Sequence, residues 1–169
     1  STNLNMLMGR FRFYLIKGQT TKVVVRQEKK YLGMDPMISL KDTLGRDVYY
    51  FNEVSYDDEY FGKAVRTIDR AIALHPDRLD LRAQKANIYI SYEKGSPDMA
   101  LSYLISLADE GAARKEDWDM DGKKEGLDFF RSAMQEYCYS FFSIGTPSSR
   151  EAFLKLSQHL NKLFPDDMN

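Results

Sequence analysis

Apolar residues recur three and four positions apart in several stretches of this chain, and each stretch predicts an amphipathic helix. Ala64, Ile68 and Ala71 fall on one face, and Ala100, Leu104 and Leu107 repeat that small-then-large spacing further along. Between them, Leu81, Ala86, Tyr89 and Ile90 mark another helix. Leu127, Phe130, Met134, Tyr137 and Phe141 form a long stripe, and Phe153, Leu156, Leu160 and Leu163 a last one. Near the start, Met8, Phe11 and Leu15 predict a helix that turns at Gly18-Gln19-Thr20-Thr21 into a second one, Val24 to Leu32. Val23-Val24-Val25 favours a strand, but Arg26-Gln27-Glu28-Lys29-Lys30 pulls the reading towards helix.

Punctuation supports these boundaries. Pro36, Pro76 and Pro165 close comparable segments, 40 and 89 residues apart. Asp57 or Asp58 is placed to cap the helix of Ala64, Ser96 to cap the next hairpin's second helix with Pro97 at its first position, and Ser148 or Ser149 to cap the last. Gly111 is placed to close the helix of Leu104. One segment resists. Leu44-Gly45 and Tyr49 lie one residue out of register for a helix, whereas Ile38-Ser39-Leu40 and Val48-Tyr49-Tyr50-Phe51, joined through Asp42 to Gly45, predict a β-hairpin or an irregular insert.

Ala64, Ile68 and Ala71 followed by Pro76 have the spacing of the second half of a tetratricopeptide repeat, and Ala86 with Tyr89 matches the small and aromatic positions of a first half. The chain resembles that family over most of its length, most strictly over residues 57–111. Val48 to Glu53, Ile68 to Ile72 and Pro76 to Arg82 are similar to a group of bacterial tetratricopeptide proteins of unassigned function. In that group more regular repeats follow a segment similar to Leu160 to Pro165. The resemblance implies an all-α, right-handed stack of degenerate helical hairpins, with one short β-hairpin insert near 38–51. Its units would be about 5–36, 37–76, 79–111 and 124–165, within a single domain over 1–169 that is the N-terminal part of a longer superhelix. Arg82 and Lys85 stand where the repeat usually has Trp and Leu, so their aliphatic stems would do the packing there.

A stack of this kind leaves a concave wall. The work it implies is that of a non-enzymatic scaffold for another protein or peptide. Asp80, Ala83, Asn87, Ile90 and Ser91, on the inner face of the 79–110 unit, are the expected contact surface. A purely structural cap of a longer array is an alternative.

Composition narrows the partners. A formal charge of −1 removes the usual electrostatic reason to expect nucleic acid or an anionic membrane. No run is long enough to predict membrane insertion. The single cysteine, Cys138, excludes an internal disulfide and sits among apolar residues, so it reads as a buried, inert thiol. Tyr49-Tyr50-Phe51 and Phe141-Phe142 read as packing contacts rather than ligand platforms. The chain opens on Ser, so its compartment is not read from its start.

Little in the sequence points to chemistry. Asp117-Trp-Asp119-Met-Asp121-Gly122, followed by Asp128, resembles the first half of an EF-hand loop, with alternating oxygen ligands and a glycine at the sharp turn. Lys123 and Lys124 occupy a ligand position and an apolar one, and Asp128 replaces the longer bidentate Glu. A calcium-stabilised module built on loop 117–128 is therefore a second alternative, weighed against a plain solvated connection. Asn87 matches one position of a peptide-carboxylate clamp, but its partner position holds Ala83. His75 suits a helix end, and His159 lies on a polar face. Without a paired nucleophile, a Gly-rich phosphate loop or a Cys/His metal spacing, neither an enzyme nor a cofactor is expected.

Overall fold

The computed structural model describes residues 2–165; Ser1 and residues 166–169, the ends of the domain read from the sequence, lie outside the described residues. Helix α1 (Thr2–Gly18) leads directly into strand β1 (Gln19–Arg26), and strands β2 (Ile38–Lys41) and β3 (Asp47–Tyr56) follow. Helices α2 (Asp58–Leu74), α3 (Leu79–Glu93) and α4 (Asp98–Ala113) come next. A hairpin of β4 (Trp118–Met120) and β5 (Lys123–Glu125) separates them from α5 (Leu127–Ile144) and α6 (Pro147–Leu163).

The expected all-α repeat stack is thus corrected: the protein is mixed α/β, with antiparallel sheets of three and two strands. The hairpin expected near 38–51 forms as β2–β3, but β3 runs on to Tyr56 and pairs on its other side with β1, giving the order β1-β3-β2. Residues 24–32 are not a helix. Thr20, Thr21 and the three valines are β-branched, and all eight residues of β1 find partners on β3, from Gln19 opposite Tyr56 to Arg26 opposite Tyr49. The charges that follow belong to a loop.

The larger sheet extends the α1–α2 pair. Gly18 carbonyl accepts from Asp57 N–H at 2.8 Å, closing the ladder where α1 ends and α2 begins. An added Cβ at Gly18 would stand 2.6 Å from that of Tyr60, so only glycine allows this approach. Asp57 caps α2, its carboxylate accepting from Tyr60 N–H. Two other expected caps shift. Pro97 precedes α4, whose first free N–H groups, on Met99 and Ala100, are bound by the Glu93 carboxylate at 2.7 and 2.9 Å. Thr146, not Ser148 or Ser149, caps α6, in a reciprocal pair with Ser149. Helix α4 also runs through Gly111 to Ala113. Gly111 serves packing there, because a Cβ would lie 2.1 Å from the Phe130 ring.

Two hydrophobic cores result. One joins Leu4, Leu7, Met8 and Phe11 of α1 to Phe61, Ala64, Ile68 and Ala71 of α2. The other packs Ala100, Leu104 and Leu107 of α4 against Phe130, Met134 and Phe141 of α5 and Leu156 of α6, with Trp118 stacked on Phe130 at 5.5 Å. Helix α3 stands between them: Leu81 and Ile88 face the first, Leu79 and Ala86 the second. The buried alanines let backbones come close. Arg82 and Lys85 are held through their charged ends. The Arg82 guanidinium grips Glu110 with two bonds of 2.8 Å and donates to Pro76 carbonyl, while Lys85 pairs with Asp69 of α2 and lies over the Tyr103 ring.

Candidate functional site

Three depressions form a continuous groove beside α3. The first, of about 450 Å³, lies between Ala83 and Asn87 of α3 and Phe129, Ala133 and Tyr137 of α5. It shares Ser140 with a second, of about 660 Å³, lined by Leu32, Met34, Ile90, Phe142 and Ile144. That one shares Ile90, Leu32, Met34 and Ile144 with a third, of about 240 Å³, which ends against Asn52, Glu53 and Val54 of β3 and Lys94.

Local geometry builds each wall. The Tyr137 phenol donates to Asn87 Oδ1 at 2.9 Å and lies 3.2 Å from Ala83 carbonyl, setting the spacing of α3 and α5 at one end. Burial pushes the ionisation of that phenol up to about 12, so it stays a neutral donor. At the other end the chain between β1 and β2 makes a tight turn. Tyr31 and Met34 exchange backbone hydrogen bonds at 2.9 and 3.2 Å, with Leu32 and Gly33 at positive φ of 49° and 80°. A Cβ on Gly33 would stand 2.6 Å from Ser143 carbonyl, so glycine lets this turn rest against the end of α5. Tyr31 is anchored in turn: its ring lies 5.6 Å from that of Phe51, and its hydroxyl donates to Glu53 at 2.6 Å. That bond, with Lys94 at 3.5 Å, holds the Glu53 carboxyl below its ordinary range.

Of the five residues expected on the contact surface, Ala83, Asn87, Ile90 and Ser91 line this groove. Asp80 does not. It sits at the start of α3 in a two-bond pair with Arg78, at 2.8 and 2.7 Å. Sequence reasoning missed Leu32, Met34, Tyr137 and Ile144, which come from elements far apart in the chain. The lining mixes apolar side chains with serine hydroxyls and the carboxylates of Glu53 and Glu136; Lys94 pairs with Glu53 and Lys30 with Asp35, while Arg150 lies over the Phe142 ring.

Residues 117–128, which carry the candidate calcium ligands, form the β4–β5 hairpin and the first turn of α5. Asp121 and Gly122 form its two-residue turn, at φ of 52° and 95°. Asp119 accepts from Gly122 N–H at 2.6 Å, Asp121 pairs with Arg78 at 3.1 Å, and Asp128 lies on α5, 4.0 Å from Arg131. Among the described residues, no three His, Cys, Asp or Glu side chains group where they could hold a metal ion. His159 is 2.6 Å from Asp109, and His75 ends α2 with its N–H on Ala71 carbonyl. Cys138 is buried, which pushes its thiol ionisation up.

No family model matches the chain, nor does any curated protein or solved structure. None of these comparisons identifies a tetratricopeptide family.

Proposed function

We propose that the protein is a non-enzymatic scaffold that holds a peptide segment of another protein in the groove along α3. The observation that carries this reading is the continuity of three apolar depressions through the shared residues Ser140 and Ile90. Together they offer two apolar sockets, one at Leu32, Met34 and Ile144 and one at Phe129 and Ala133, the second shared with the Asn87 amide. A segment with two large apolar side chains about three to four helical turns apart would bury both and leave its charges at the rim. Lys94 and Lys30 are already paired, which favours apolar anchors over an acidic motif.

Selection from a peptide-display library against the full chain tests this. Enriched sequences should carry two spaced apolar anchors. Their affinity should fall about tenfold or more for Ile90→Lys and for Phe142→Lys. The Phe142 side chain is half exposed, so the second variant should keep the wild-type melting temperature. Failure to enrich any sequence, or equal binding to both variants, would remove the groove as the site.

A further inference from the structure

The whole-chain charge of −1 conceals a segregated distribution. The first thirty residues hold seven Lys or Arg and one acid, Glu28, so the remaining 139 carry −7. Helix α1 has Arg10, Arg12 and Lys17 and no carboxylate at all. None of these three cations makes an ion pair among the described residues.

Helix α1 packs chiefly on α2, through Leu4, Leu7, Met8 and Phe11. The opposite stripe is apolar too. Met6, Phe13 and Ile16 are 60%, 58% and 73% exposed, which is unusual for three large apolar side chains on one helix. Gly9 lies within the stripe, and a Cβ there would meet nothing within 4 Å. On a helical projection, Arg10 and Lys17 run along one border of the stripe and Arg12 along the other.

We propose that this outer face of α1 rests on an anionic lipid surface. An apolar centre flanked on both sides by cations suits the boundary between headgroups and acyl chains: the apolar side chains enter, and the long basic ones reach back to phosphates and carboxylates. A second copy of the chain on the same face would set Arg10, Arg12 and Lys17 against their own equivalents. An acidic protein would meet the cations but would also need a socket for each of three protruding side chains, whereas a fluid bilayer adapts to them. The contact is peripheral, since no helix among the described residues is long and apolar enough to cross a membrane.

The test uses the full chain carrying Phe13→Trp, with the buried Trp118 as a constant background. Vesicles of phosphatidylcholine alone are compared with vesicles containing about one-third phosphatidylserine. Emission should shift to the blue, and the protein should float, only with the anionic vesicles, and added salt should reverse both. The pair Arg10→Glu and Lys17→Glu, and separately Ile16→Glu, should each lower partitioning by about tenfold or more with unchanged circular dichroism. Absence of association, equal association with both vesicle types, or wild-type partitioning of the variants would overturn the proposal. Binding to soluble polyglutamate without binding to vesicles would overturn it as well, and would assign the face to an acidic protein.

Discussion

Two β inserts interrupt the helices of this protein, and they use their side chains in opposite ways. The three-stranded sheet keeps most of its surface in water: Val23, Val25, Ile38 and Leu40 are about half exposed, and full burial is confined to Phe51 and Glu53. The β4–β5 hairpin is far smaller, yet its first residue, Trp118, is buried against Phe130 and lies beneath the guanidinium of Arg114. Backbone pairing exchanges bonds to water for bonds within the protein and gains little net. Removing an indole from water gains much more. What an insert contributes to helix packing is set by where one aromatic points, not by the length of its ladder. The larger insert does different work, closing one end of the groove through Leu32, Gly33 and Met34.

The comparison is tested most severely by Trp118→Ala, which should lower unfolding free energy by about 3–5 kcal/mol in urea titrations. Phe51→Ala removes an equally buried ring that belongs to neither helical core, and should cost less. Equal losses would erase the contrast. Gly111→Ala should cost about 1–3 kcal/mol by driving Phe130 off Trp118, and the near-ultraviolet circular dichroism of the indole should change with it. A neutral result would mean that the ring has room to shift.

Turn chemistry gives a smaller effect. Asp119→Ala frees the Gly122 N–H and should cost about 0.5–1.5 kcal/mol, because the hairpin holds Trp118 in place. Asp42→Ala frees Leu44 and Arg46 N–H groups at an exposed turn, and should change global stability by no more than about 0.5 kcal/mol. The least effect at neutral pH comes from two buried phenols. Burial pushes Tyr103 and Tyr137 up to about 12, against 10.0 for a free phenol. The native state therefore holds these protons after the unfolded chain has released them. Their stabilisation is present below pH 10 and is lost as pH rises towards 12. Absorbance titration should show them ionising among the last tyrosines, with Tyr137→Phe removing one late step. Ionisation alongside the exposed tyrosines would mean that α3 and α5 separate readily.

How much of this was legible in the sequence follows from burial. Helix α2 buries one face only, so Ala64, Ile68 and Ala71 stand out against polar neighbours. In β3, Phe51 and Glu53 turn inward with exposed Asn52 between them, and that alternation announces a strand. β1 is exposed on both faces, so no alternation marks it, and the charges after it imitate a helix. Asp121-Gly122 was legible as a turn but also has the look of a cation loop, since both uses favour the same residues. The groove was half legible. Its α3 floor follows from helical spacing, whereas Leu32, Met34 and Ile144 meet only after folding, and Gly33 is the one local hint of the contact.

Helix α3 is a wall shared by both cores. Neither half can melt without stripping one side of it, so the protein should behave as one cooperative unit in native-state hydrogen exchange, with the slowest amides at Leu81 to Ile88. A guest on its remaining open strip would slow exchange in α1 and in α4 alike, although it touches neither.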